Sequence, residues 1–378
     1  MKKRILFYSS VFYPIYEGSA MAPYYLAKYL SRKFEIDVLT YNLHNYKSEE
    51  RINGINISRI DPIILKFFNP EPFSFKLIFD FYKKIKKVEI IHLFNFYHFF
   101  TLLPLIFICK ITHKPFVFSI STFFETIEFL KNKKRGIFLP FLFFILRKTV
   151  KNLIVSTRRH VKILKKMGFK NNKIFVLPCG AEIKNYNFSI SKKDRYLLLN
   201  VARFDWNKGH EILLKVMKNV IKRIPKAKLV IVGHVSKENI LKKTQKLIKL
   251  LKLEKCVKIF TDISQEKLKS LYESASIFLF PSTIEDFGIV NIEAMAAGLP
   301  VVAFRVGGIP SVIKHKKTGF LVSPNDVETF SKNVILLLRN EKLRRRLSIN
   351  CKKYAKKFDW KNLSQKLIGI YTHIIKNN

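Results

Sequence analysis

The chain has 378 residues, 48% of them hydrophobic, and sets 70 Lys and Arg against 27 Asp and Glu for a formal net charge of +43. That length suggests two domains, or one large one, each able to bury its own core. Cys109, Cys179, Cys256 and Cys351 form no CxxC and the nine histidines no metal-ligand pair, which argues against a structural zinc and fits a reduced, cytosolic compartment.

MKKRILFYSS opens with basic residues, but its apolar run is short and reads as a buried first strand (4–10) rather than a signal peptide. A loop with Pro14 and Gly18 leads to a helix near 20–32. Strands are predicted at 34–40, 55–60, 88–94, 115–121, 152–157 and 173–179, and helices near 74–87, 98–110, 136–149 and 158–168. The longest apolar block, GIFLPFLFFIL (136–146), is about half the length of a membrane span. KNYNFSISKKDR (184–195) lacks an apolar period and reads as a linker. The pattern then restarts with strands at 196–202, 228–233, 256–262, 277–282, 300–306 and 319–322, and ends in helices near 326–338 and 341–356. This alternation predicts an α/β protein of two doubly wound, Rossmann-like domains facing a cleft, each a parallel sheet covered on both faces. The expected divisions are 1–186, 187–357 and a C-terminal helical segment, 358–378, that crosses back to the first domain.

Ligands in such sheets bind at the carboxyl ends of the strands. After the strand IFLF comes PSTIEDFGIVNIE, with a helix expected from Gly288–Ile289. Its free N–H groups suit a phosphate, and Glu285 and Glu293 suit the vicinal hydroxyls of a sugar or ribose. Taken alone, the two acids are better explained as caps that offset the helix dipole. VARFDWNKGHE (201–211) adds Arg203 and Lys208 at another strand end, a fork and a point charge matched to a diphosphate.

The runs RFDWNKGHE, VIVG, FLFPSTIEDFGIVNIEAMAAGLPVVAFRVGGIPSVI and TGFLV, with Glu285 and Glu293 separated by seven residues, resemble the C-terminal half of a retaining glycosyltransferase of family 4, with the GT-B fold. The resemblance covers most of 196–340 and is looser in the first half, where LPCGAE (177–182) stands at the family's PNG turn. It implies a nucleotide-diphosphate sugar as donor, no cofactor and no metal; no Asp-x-Asp occurs in the chain. It places Arg203 and Lys208 on the departing diphosphate, Glu285 beside the donor sugar and Glu293 on the ribose. The amides of Phe287, Gly288, Ile289 and Val290 complete the phosphate cradle. Gly233 and the loop Thr261, Asp262, Ile263 correspond to segments lining the base pocket.

Two positions depart from the family pattern. Glu17 stands where the first of two glycines is usual, leaving Gly18 toward the donor phosphates, and Ser121 stands where a histidine is frequent, with Thr122 and Glu125 as its neighbours in that role. They motivate an alternative, a catalytically weakened nucleotide-sugar-binding protein. His92 and His98 read as packed or partly exposed histidines. The expected acceptor is a glycan or lipid-linked acceptor.

A second alternative, a nucleic-acid-binding protein, is motivated by the charge alone; the basic residues are spread through both halves and no RNP, C2H2 or bZIP pattern is present, so no nucleic acid is expected as a partner. The charge then reflects either a composition-wide lysine bias or an anionic membrane surface. Aromatic stretches with interleaved lysines (67–87, 94–107 and 131–148, including Lys131, Lys133, Lys134 and Arg135) suit the membrane. The expected location is cytoplasmic, with the inner membrane face as a peripheral site.

Overall fold

The computed structural model describes residues 2–15, 18–65, 71–94, 99–120, 138–170, 172–187, 189 and 193–377. Glu17, His98, Ser121, Thr122, Glu125, Lys131, Lys133, Lys134 and Arg135 lie outside the described residues. The chain divides into two compact units, Met1–Cys179 with Trp360–Asn378, and Gly180–Asp359.

The first unit is built on an eight-stranded sheet. Its order is Lys173–Val176, Asn152–Val155, Phe116–Ile120, Ile90–Phe94, Arg4–Tyr8, Glu35–Tyr41, Ile55–Ile60, Glu49–Ile52. Seven strands run parallel, and all of them except the edge strand Lys173–Val176 have centres buried on both faces. In Arg4–Tyr8 the side chains alternate: Leu6 and Tyr8 enter one core, Ile5 and Phe7 the other. The first core takes the helices Phe75–Ile85, Phe99–Ile111 and Phe138–Thr149. The second takes the helices Gly18–Leu30 and Trp360–Lys376. Trp360, Leu363, Leu367, Tyr371 and Ile374 recur at helical spacing and form the buried stripe of the last helix.

The sheet is mixed, where the apolar pattern predicts a purely parallel one. Glu49–Ile52 pairs antiparallel with Ile55–Ile60 across Asn53–Gly54, both at positive φ. An Asn-Gly pair between strands is a strong hairpin signal, overlooked because the flanking strand is short and polar. A second antiparallel pair joins Ile63–Leu65 to Glu71–Phe73.

The second unit carries six parallel strands in the order Val257–Phe260, Lys228–Val232, Leu197–Val201, Ile277–Phe280, Val301–Phe304, Gly319–Val322. Numbered within the unit, this is 3-2-1-4-5-6, with its switch point between Leu197–Val201 and Ile277–Phe280. The segment read as a linker belongs to this unit. Tyr186 packs edge-on against Tyr272, and the Asn187 N–H donates to Glu273 (2.8 Å). The Lys193 ammonium donates to the carbonyls of Glu273 (3.2 Å) and Ala275 (3.0 Å), closing the end of helix Gln265–Ser274. Burial pulls the Lys193 amine down to about 8. The unit's two ends meet where the Ala181 N–H donates to the Phe358 carbonyl (3.0 Å).

Among the described residues, no helix is long and apolar enough to cross a membrane.

Candidate active site

The loops leaving the two strands at the switch point are stitched together. After Leu197–Val201 the chain makes a short 3-10 turn, Trp206–Lys208, begun by Asp205, whose carboxylate accepts from the Trp206 N–H (2.8 Å). The Asn207 carbonyl then accepts from Ser282 Oγ (3.0 Å) and from the Thr283 N–H (2.9 Å), both in the loop after Ile277–Phe280. Gly209 has φ 71°, and a Cβ there would lie 2.1 Å from the Pro281 carbonyl oxygen. Only glycine lets the loops approach so closely and start the helix His210–Arg223.

That stitching sets Lys208 against Glu285. Nζ lies 2.9 Å from Oε2, and the side chains are only 10% and 16% exposed. Glu285 is fixed from the other side too. Its carbonyl accepts from the Gly308 N–H (3.0 Å), and a Cβ on Gly307 (φ 47°) would fall 1.7 Å from that oxygen. Three strand-end loops therefore position one carboxylate. The pair is mostly desolvated, so each partner needs the other.

Gly288 (φ 76°) precedes helix Ile289–Ala296 and abuts Glu285: its Cβ would lie 3.4 Å from Glu285 Cγ. No side chain among the described residues caps this helix; the Asn291 amide donates back to the Gly288 carbonyl (3.0 Å) instead. The first-turn amides of Ile289 and Val290 are thus available to an anion beside the Lys208–Glu285 pair. The Phe287 side chain is buried against Phe358, so only its backbone can serve the cradle.

Glu293 lies in the second turn of this helix and is partly exposed. Its Oε2 accepts from Tyr272 Oη (3.0 Å). Desolvation raises its carboxyl above the ordinary range, against hydrogen bonds from Tyr272 and Tyr186 that lower it. Desolvation likewise holds the fully buried Tyr272 phenol well above its usual value.

Arg203 is exposed at the same strand end as Lys208. Its carbonyl is held by His210 Nε2 (3.0 Å), which must donate, and the His210 ring stacks on Phe204 (4.7 Å). Burial lowers the His210 pKa, keeping the ring neutral. Gly233 ends strand Lys228–Val232; a Cβ there would lie 1.9 Å from the Ala202 carbonyl oxygen, so packing alone requires glycine. Thr261 and Ile263 are half-buried on the next loop, which His234 Nδ1 ties down through Asp262 (2.9 Å). Gly18 is exposed at the start of helix Gly18–Leu30 in the first unit.

The structure brings Lys208, Glu285, Gly288 and helix Ile289–Ala296 together, and sets Arg203 on the adjoining loop. Sequence reasoning missed Asn207, His210, the Gly307–Gly308 pair and the Tyr272–Tyr186 support of Glu293. The glycine pair was visible as GG in FRVGGIPSV. The tyrosines carry no local signal, since one lies in the supposed linker and the other inside a helix.

His92, read as a packed histidine, is fully buried. Its Nδ1 meets Tyr371 Oη and its Nε2 meets Ser119 Oγ, both at 2.6 Å, and its ring stacks on Phe94 (3.8 Å). Burial pushes its pKa well below the usual value.

The switch point of the second unit thus presents a cation, a pinned acid and an uncapped helix start, and a fold of this kind hosts nucleotide-diphosphate ligands at that place. Residues 182–354 match the profile of glycosyl transferases group 1, and residues 16–185 match that of glycosyltransferase family 4. The chain belongs to this family of glycosyltransferases. It is 28% identical over 359 residues to an uncharacterized glycosyltransferase of Methanocaldococcus jannaschii, covering 89% of each chain. Its fold is GT-B. It is similar to sucrose-phosphate synthase from Thermosynechococcus elongatus (TM-score 0.75, 20% identity, 100% of both chains). It is also similar to Anabaena HepE, solved with UDP and glucose (TM-score 0.77, 18% identity, 98% of this chain and 100% of that one).

Proposed function

We propose that the chain transfers a hexose-type sugar from a nucleoside-diphosphate sugar to a glycan or lipid-linked acceptor, with retention of configuration, in building a cell-envelope polysaccharide or glycolipid. The Lys208–Glu285 pair beside the uncapped start of helix Ile289–Ala296 carries the reading. An ammonium has three donors, so Lys208 can keep Glu285 and still reach a phosphate oxygen. With Arg203 and the helix amides it would oppose the charge that develops on the departing diphosphate, the role in which fixed charges contribute most to catalysis. Glu285 would then orient the donor sugar's hydroxyls and Glu293 the ribose diol. Donor and acceptor meet on the cytoplasmic side in this reading, and neither a metal nor a resident cofactor is assigned a step.

Because HepE was crystallised with UDP and glucose, UDP-glucose is the first donor to test. A thermal-shift screen of nucleotide sugars, followed by hydrolysis or transfer assays on the wild type and Glu285→Ala, tests the proposal. Turnover in the wild type that disappears in the variant supports it. Donor binding without turnover in either would assign the chain to the nucleotide-sugar-binding proteins instead.

A further inference from the structure

Helix Phe99–Ile111 is apolar on both faces. Leu102, Leu105, Ile106 and Cys109 sit in the core, while Phe100, Phe107 and Ile111 on the opposite side face solvent. Its neighbours do the same. On Phe75–Ile85, Leu77, Phe81 and Ile85 point inward and Phe75, Phe79 and Tyr82 outward; on Phe138–Thr149, Phe144 faces out. The three helices pack side by side against the same core, so the exposed rings share one surface. Among the described residues, 7 of the 15 exposed large apolar side chains lie here. Exposed apolar residues on a soluble surface are usually scattered singly, and clusters of them mark an interaction face.

The surface is also cationic. Lys83 Nζ lies 4.2 Å above the Phe79 ring, Lys86 Nζ 4.7 Å above Tyr82, and the Arg147 guanidinium 4.8 Å above Phe144. Asp80 is the only acid in the three helices, and it is half-buried. Between Phe99–Ile111 and Phe138–Thr149 runs an open groove of ≈ 560 Å³, lined by Leu103, Pro104, Phe107 and Ile145, with Lys110 and Thr149 as its polar members.

We propose that this face docks on an anionic lipid bilayer. Rings that lie flat beside long basic side chains match the boundary between acyl chains and phosphates, where both halves of each pair are satisfied. A protein partner would have to meet the cations with acids and still cover the rings; a bilayer rich in acidic lipids offers both at once. The groove is apolar enough to receive an acyl chain. This inference shares no residue with the donor site, so the two readings can fail separately.

Flotation of the full chain with phosphatidylcholine vesicles, with and without phosphatidylglycerol, at low and high salt, tests it. Two variants at exposed positions serve as probes: Lys83→Glu/Lys86→Glu/Arg147→Glu and Phe79→Ser/Phe107→Ser. Wild type is expected to float with the phosphatidylglycerol vesicles and to release in high salt. Each cation lost should weaken binding about fivefold, so the triple reversal should weaken it at least about a hundredfold. The ring variant should lose binding at both salts, and both variants should keep the wild-type melting temperature. Absence of binding by the wild type, or equal binding by all three proteins, overturns the proposal. A concentration-dependent dimer that both variants abolish, without vesicle binding, assigns the face to a second copy and overturns it as well.

Discussion

In the second unit, the loops leaving Leu197–Val201 and Ile277–Phe280 are tied by Asn207, Gly209 and the Lys208–Glu285 pair, and Arg203 stands exposed beside the tie. In the first unit, the strands Arg4–Tyr8 and Ile90–Phe94 hold the same place in the sheet order. There the described polar groups turn inward: His92 is locked between Ser119 and Tyr371 and stays neutral. The two sheets share the strand order around their first strand, yet one sets the Lys208–Glu285 pair beyond it and the other buries a neutral network within it. Topology supplies a place for chemistry, and the residues of the loops decide whether it is used.

The comparison breaks most sharply at Lys208 and Glu285. Glu285→Ala and Lys208→Ala are each expected to cut kcat/KM for donor turnover by roughly 100- to 1000-fold. Each leaves a buried charge unpaired and should cost about 3 kcal/mol in urea unfolding. Lys208→Met combined with Glu285→Leu should recover most of that stability and none of the activity. Recovery of both would reduce the pair to a structural clamp.

Gly307→Ala should be nearly as damaging to the fold, by roughly 2–4 kcal/mol, because its Cβ would drive into the Glu285 carbonyl at a backbone angle that alanine resists. Its mark is a joint loss of donor affinity and melting temperature. A fall in melting temperature with unchanged donor affinity would show that the loop does not position Glu285.

On the other side of the comparison, His92→Ala should cost about 1–3 kcal/mol by orphaning Tyr371 and Ser119 while leaving donor affinity untouched. Its pKa is depressed in the folded state, so the network's stabilisation is present above the ordinary histidine value of about 6.5 and is lost as pH falls below it. A wild-type stability curve flat across that range, or one that His92→Ala leaves unchanged, contradicts the assignment.

The smallest effect is expected at Glu293. Its folded-state pKa is raised, so its contribution to stability is present below the usual carboxylate range and disappears as pH rises through the shifted value. Glu293→Gln should therefore melt slightly higher than wild type at neutral pH, by about 1 kcal/mol, and equally at acid pH, while losing donor affinity. Tyr272→Phe removes a hydrogen bond to the carboxylate, so the acid limb of donor binding should move to higher pH. An unmoved limb would release Tyr272 from its positioning role.

Much of this was legible in the chain. The α/β alternation and nearly every strand were readable because parallel strands buried on both faces appear as short apolar runs. The candidate site residues were readable because RFDWNKGHE and EDFGIVNIE are local segments with charges at fixed spacing. Glu49–Ile52 escaped because an edge strand can be short and polar. Tyr186 and Tyr272 escaped because their role exists only once the segment before Leu197–Val201 lies against helix Gln265–Ser274.

By itself, then, the sequence determined most of the buried strands and the helices and which charged residues follow them, since these depend on local periodicity and turn chemistry. Tertiary structure alone decided that Lys208 meets Glu285, that Gly307 and Gly209 must lack side chains, and that Phe107 and Ile111 face solvent. Those facts depend on distances between loops and helices far apart in the chain, which no local pattern encodes.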